Sequence, residues 1–135
     1  KTLPDAVVGV IADCGFSSAR AIICKTIKDM HLPPKLVYPI IRLGGIIFGR
    51  FDTEATPAVE AVKNTTVPVI FLHGNNDAFV PCYMSEQNYA ACGSEKRLVI
   101  VERAGHGLAY PADPERYIAE LKSFFAFAHE DEKVA

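Results

Sequence analysis

Three short apolar runs punctuate the chain, and none of them alternates between apolar and polar positions. Residues 6–12 read AVVGVIA, residues 67–72 read VPVIFL, and residues 98–101 read LVIV. An unalternating, β-branched run suits a strand covered on both faces, as in a parallel sheet. Between these runs the apolar period becomes that of a helix. Ser17 or Ser18 can cap a helix carrying Ile23, Ile27 and Met30, which Pro33-Pro34 stops. Thr56-Pro57 marks another start, with Thr56 as the cap and Val59 and Val62 as a small apolar face. Pro81 opens a third helix that Gly93 can end. Asp113-Pro114 begins the last, whose core stripe is Tyr117, Ile118, Leu121, Phe124 and Phe125. Strand, helices, strand, helix, strand, helix predicts an α/β fold with three αβα layers and about three parallel strands.

Residues 35–50 break this rhythm. KLVYPIIRLGGIIFGR is apolar nearly all round, with Pro39 inside it and Gly44-Gly45 interrupting it. Short helices set at an angle are expected here. Their apolar surface needs a core, a lid over a pocket or a partner chain to cover it. The tail from His129 onward is charged and expected to fray.

Composition narrows the classes. Of 135 residues, 50% are hydrophobic and 22% charged, the balance of a globular domain or of part of a larger one. A net charge of −2 argues against nucleic acid or an anionic membrane as the main partner. No apolar run is long enough to span a bilayer, and no signal-peptide pattern opens the chain. It begins at Lys1, which suggests a segment of a longer protein. Cys14, Cys24, Cys82 and Cys92 form no C-x-x-C pair and have no metal spacing with histidine. They read as reduced thiols of a cytoplasmic protein.

In open parallel sheets, functional groups gather at the carboxyl ends of the strands. The loops there hold Asp13, Asp77 and His106. Between Asp77 and His106 there is room for one helix and one strand, which places them in neighbouring loops. A carboxylate so placed can bind one imidazole nitrogen and leave the other to take a proton. Gly105 and Gly107 let the backbone turn around His106 and leave its ring unobstructed.

HGNNDAFVP at residues 73–81 resembles the acid loop of the α/β-hydrolase family, and AGHG at residues 104–107 resembles its histidine loop. ADCGFSS at residues 12–18 is similar to the loop after the strand that precedes that family's lid region. The resemblance implies the C-terminal portion of an α/β-hydrolase fold, with an apolar helical cap or lid inserted at about residues 19–64. It also implies a triad in the order Ser, Asp, His, with the serine on a G-x-S-x-G elbow. Asp77 matches the acid and His106 the base. Asp13 is the alternative acid, because some members place that residue after the earlier strand.

No G-x-S-x-G occurs in this sequence. Ser17, Ser18, Ser85, Ser94 and Ser123 lack that setting, and no elbow surrounds Cys14. His73 is expected to order its loop, and His31 and His129 to lie on the surface. The implied activity is that of a serine hydrolase acting on small carboxylic esters or related acyl compounds, with no metal or organic cofactor. A peptidase would use the same serine, whereas an aspartate at the elbow would give dehalogenase or epoxide-hydrolase chemistry. A reading from another class is a non-catalytic fragment that self-associates through an exposed sheet edge or the apolar cap.

Overall fold

The computed structural model describes residue 4 and residues 6–130. Three strands, β1 (Val10–Asp13), β2 (Val69–Gly74) and β3 (Lys96–Val101), form a parallel sheet in the order β1-β2-β3. Val69 pairs with Val10 on one side and with Lys96 on the other. All six residues of β2 are buried. Ile70 and Leu72 pack with Val99, Val101, Ala104, Ala109 and Phe124, whereas Val69 and Phe71 pack with Cys92. Both faces of the central strand are therefore covered, which is why its sequence does not alternate.

One face is covered by α6 (Pro114–Glu130), through Tyr117, Leu121, Phe124 and Phe125. The other is covered by α4 (Tyr83–Ala91), through Tyr89, and by the 3-10 turn Val62–Asn64, through Val62. Ile22 of α1 (Ala19–Asp29) packs on Val80 and Met84. Helices on both faces of a parallel sheet make a three-layer α/β fold.

Several local expectations change. β1 begins at Val10, not at residue 6, and Ile11 remains 48% exposed. Coverage of both faces holds for β2 and not for β1, where Ile11 and Asp13 are exposed. Gly9 lies against Phe125, where a Cβ would stand 2.5 Å from the ring, so the approach to β1 passes close under α6. Ser18 is the cap of α1, its Oγ accepting the Ala21 N–H at 3.1 Å.

Pro33-Pro34 starts a helix instead of stopping one. The helix α1 has already ended at Asp29, and His31 takes the left-handed conformation at φ 59°. Pro34 then occupies the first turn of α2 (Pro34–Gly44), where a missing N–H costs nothing. Nor do Pro39 and Gly44-Gly45 divide this segment into angled pieces. One helix runs through Pro39 and passes into the π turn Gly45–Gly49, which Arg50 ends in the left-handed region at φ 53°.

Thr56 makes no capping bond. The Pro57 carbonyl accepts from Glu60 and Ala61 and begins α3 (Ala58–Ala61). Gly93 follows α4 because a Cβ there would stand 2.3 Å from the Lys63 carbonyl oxygen. Ile118 lies off the core stripe of α6, at 39% exposure. A short helix, α5 (Ala109–Ala112), which periodicity does not predict, follows the histidine loop. The four cysteines are free, and no helix among the described residues is long and apolar enough to cross a membrane. Residues 131–135 of the charged tail lie outside the described residues.

Candidate active site

The acid comes from the turn that leaves β2. The Asp77 N–H donates back to the Gly74 carbonyl at 3.3 Å, closing a tight turn. Its Oδ1 accepts the N–H groups of Phe79 and Val80 at 2.9 and 2.8 Å. Its Oδ2 lies 2.8 Å from His106 Nδ1 and 3.3 Å from His73 Nε2. The Asp77 side chain is fully buried. Burial pushes the carboxyl up, but the hydrogen bond from His106 and the N–H groups of Val80 and Phe79 outweigh it. The net effect holds the carboxyl below its ordinary value.

The histidine loop is stitched to the acid loop by backbone and amide groups. Asn75 and Asn76 donate their N–H groups to Val101 and Ala104 at 3.1 and 3.0 Å. Asn75 Oδ1 accepts the Arg103 N–H at 2.7 Å, and its Nδ2 donates to Glu102 at 2.7 Å. Arg103 and Gly107 take left-handed conformations at φ 61° and 67°, on either side of His106. Gly74 is obligatory for this approach, since a Cβ there would lie 2.1 Å from the Ala104 carbonyl oxygen.

His106 emerges with its side chain 44% exposed. The Phe79 ring meets its imidazole edge-on, with centroids 5.1 Å apart. A carboxylate only accepts, so Nδ1 carries the proton toward Asp77, and the Nε2 lone pair is left pointing elsewhere. Nε2 has no hydrogen-bond partner among the described residues.

His73 is wholly buried and orders the acid loop, as its position implied. Its Nε2–H donates to the Val80 carbonyl at 2.8 Å, and its Nδ1 lies 2.6 Å from Ser85 Oγ. Ser85 Oγ, whose hydrogen serves His73 Nδ1, also lies 3.2 Å from the Gly15 carbonyl oxygen. The loops after β1 and β2 are thus joined through one buried histidine and α4. His31 is on the surface.

Asp13 and Cys14 part company at the end of β1. The Asp13 carboxylate is exposed and accepts the Tyr117 hydroxyl at 2.9 Å, whereas Asp77 faces His106. Burial and this bond to Asp13 push the Tyr117 hydroxyl up to about 12. Cys14 turns inward from a left-handed backbone at φ 52°, and its Sγ accepts the Gly107 N–H at 3.3 Å. Burial pushes its thiol up to about 11, and neighbouring Asp13 adds to the shift. Cys14 Sγ, a carboxylate oxygen of Asp77 and a ring nitrogen of His106 lie within 4.8 Å of one another.

The hydroxyls of Ser18, Ser85, Ser94 and Ser123 are occupied elsewhere. The buried Ser17 accepts the Val59 N–H on its carbonyl, and Ser94 Oγ donates to the Val67 carbonyl at 2.7 Å. Ser123 Oγ accepts from Arg97 at 2.8 Å. Sequence reasoning missed Asn75, Asn76, Phe79 and the inward turn of Cys14. The Asn-Asn pair directly after His73-Gly74 was the available signal for the stitching.

No family model matches the chain. It is 23% identical over 115 residues to the uncharacterized protein YqkD of Bacillus subtilis, spanning 84% of this chain and 38% of YqkD. Among solved structures, it is similar to BpoC of Mycobacterium tuberculosis at 19% identity and a TM-score of 0.60, covering 93% of this chain and 60% of BpoC. MGS-MChE2, an alpha/beta hydrolase enzyme from a lagoon-sediment metagenome, matches at 16% identity and TM-score 0.58, over 92% of this chain and 52% of its own. A thermophilic esterase from Thermogutta terrifontis matches at 14% identity and TM-score 0.57, over 93% and 58%. The chain thus spans less than two-thirds of the length of each of these proteins. Its parallel sheet, and its agreement with these structures over nearly its whole length, identify it as having the α/β-hydrolase fold, of which it carries the C-terminal part.

Proposed function

We propose that this chain supplies the acid and the base of a serine-type hydrolase acting on small carboxylic esters or related acyl compounds. The observation that supports this reading best is the 2.8 Å bond between buried Asp77 Oδ2 and His106 Nδ1, on an imidazole whose other nitrogen is unpartnered and reachable. Asp77 fixes the tautomer and stabilises the imidazolium when it forms. His106 Nε2 takes the proton of a serine hydroxyl as that oxygen attacks the acyl carbon, then returns it to the leaving alkoxide. The serine and the oxyanion donors belong to sequence outside this chain, since no G-x-S-x-G occurs within it. An esterase among the fold's relatives agrees with the acyl chemistry. The apolar segment over α2 and the π turn serves in this reading as cap or lid, within the proposed insertion at about residues 19–64.

The test is hydrolysis of an activated ester by the full-length protein. Asp77→Asn and His106→Ala should each lower kcat by roughly 10³- to 10⁴-fold. Turnover unaffected by either change would sink the assignment.

A second reading concerns the chain on its own. Among the described residues β1 is paired on one side only, and Leu36, Ile40 and Phe48 of the cap are 70, 72 and 87% exposed. An open strand edge and an apolar ridge of that kind favour self-association of the isolated chain, without hydrolysis. A monomer by light scattering at high concentration would argue against it.

A further inference from the structure

Beside the acid–histidine pair stands a thiol that the hydrolytic reading does not use. The loops after all three strands converge there. β1 delivers Cys14, β2 delivers Asp77 and β3 delivers His106, with one ligating atom from each within 4.8 Å of the others. We propose that these three side chains form an inhibitory site for a thiophilic divalent cation of the zinc or cadmium type. The inhibition, though not the binding, rests on the hydrolase reading above.

The donor set matches that chemistry. Sulfur, imidazole nitrogen and carboxylate oxygen together suit a borderline-soft ion and not magnesium or calcium, which take oxygen ligands. Three protein ligands with water as the fourth is the usual open arrangement of zinc. Bonds of about 2.0–2.3 Å would hold tetrahedral ligand atoms about 3.3–3.7 Å apart, so the Asp77 Oδ2–His106 Nδ1 pair must open from 2.8 Å to admit the ion, with the sulfur, within 4.8 Å of both groups, closing the third side.

His106 is the member able to move, being 44% exposed between Gly105 and Gly107, the latter already at φ 67°. The other two groups are held in place. Asp77 is pinned by the Phe79 and Val80 N–H groups on Oδ1, which leaves Oδ2 facing the cluster. Cys14 is fixed through its backbone N–H to Leu72 at 2.9 Å, and its sulfur already accepts an N–H from Gly107. That contact supports negative charge on the sulfur once the proton has gone.

Binding has a defined proton balance. The cation takes Cys14 Sγ, Asp77 Oδ2 and His106 Nδ1. The thiol proton leaves to solvent, and the imidazole proton moves from Nδ1 to Nε2, so one proton is released per ion bound. Nε2 then carries a hydrogen and can no longer accept one. The ion would block the reaction by enforcing the wrong tautomer, without filling the substrate's place.

Cadmium provides the direct test, since a cadmium–thiolate bond has its own ultraviolet charge-transfer band. Titrating the full-length protein with cadmium should give that band, saturating at about one equivalent. Cys14→Ser and Cys14→Ala should abolish it, and His106→Ala should weaken affinity at least tenfold, with near-ultraviolet circular dichroism confirming that each variant is folded. Cys82→Ser, which removes the other nearby thiol, should leave the band in place. Absence of the band, or its survival in both folded Cys14 variants, would overturn the site. Ester hydrolysis followed in parallel should fall on adding cadmium and recover with a chelator, and the Cys14→Ser protein should be insensitive to the ion. Full turnover by the cadmium-loaded protein would overturn the inhibition. A protein with the band but no hydrolysis in any state would refute the functional reading and leave the metal site standing.

Discussion

Two apolar-rich stretches of this chain end in opposite conditions. The rim of the sheet, residues 73–107, buries what it can and ties the remainder with hydrogen bonds between loops. The proposed cap, taken over residues 34–54 of the insertion, buries one residue of α2, Tyr38, and turns Leu36, Ile40, Leu43, Ile47 and Phe48 to the outside. The rim is held by Asp77–His106, His73–Ser85 and the Asn75 amide. The cap is held by polar contacts around its base. Arg42 makes a two-pronged bond to Asp52 at 2.8 and 2.7 Å and reaches Glu54 at 3.0 Å, and Tyr38 meets Thr53 at 2.7 Å. Apolar content alone therefore does not place a residue inside. A second surface must face it, and β2 has one on each side where α2 has few.

The contrast is sharpest at the core beneath the rim. Phe124, 2% exposed among Ile70, Leu72 and Val101, should be costly to truncate, with Phe124→Ala losing about 3–5 kcal/mol in denaturant unfolding. A loss no larger than that of a surface change would mean α6 does not seal the sheet. Gly74→Ala tests the rim itself. Its new methyl meets the Ala104 carbonyl, so either the acid and histidine loops part or the strand ends shift. About 1–3 kcal/mol of stability should go, together with the Asp77–His106 hydrogen bond, read from the downfield Nδ1–H proton signal of His106 by NMR. An unchanged Nδ1–H signal would show that the two loops are held together by something other than close backbone approach.

Acid separates the two regions more gently. The carboxyl of Asp77 is depressed in the folded state, so its contribution to stability is complete above about pH 3.8 and is lost as pH falls through the lower folded value. Thermal melts below that point should fall more steeply for the native protein than for Asp77→Asn, and equal slopes would contradict the assignment. Asp52 is also depressed, to about 2, chiefly by Arg42, but its pair lies at the exposed base of the cap. Solvent screening should make the acid limb of Asp52→Asn differ from the native one by less. The smallest effect is expected on the ridge, where Ile40→Ser should change stability by no more than about 0.5 kcal/mol. A large loss there would show that the ridge is covered in solution, and would transfer the cap from the exposed class to the buried one.

Much of this was legible in the linear chain. The unalternating run at β2 specified a strand with both faces covered, and the order of elements specified a parallel α/β sheet. Asp77 and His106 stood out because each follows a strand, and turn residues flank them. These are local signals, written in periodicity and in the residues that backbone turns require. What they could not specify was orientation. Nothing in Asp13-Cys14 says that the carboxylate turns out to Tyr117 while the thiol turns in to Gly107. Nothing in Pro33-Pro34 says whether a helix is ending or beginning, since proline is tolerated at both places for the same lack of an N–H. The sequence determined which residues could do chemistry and on which kind of sheet. The tertiary structure alone decided which of them meet, because meeting depends on the direction each side chain takes when three loops, distant in the chain, close over one sheet edge.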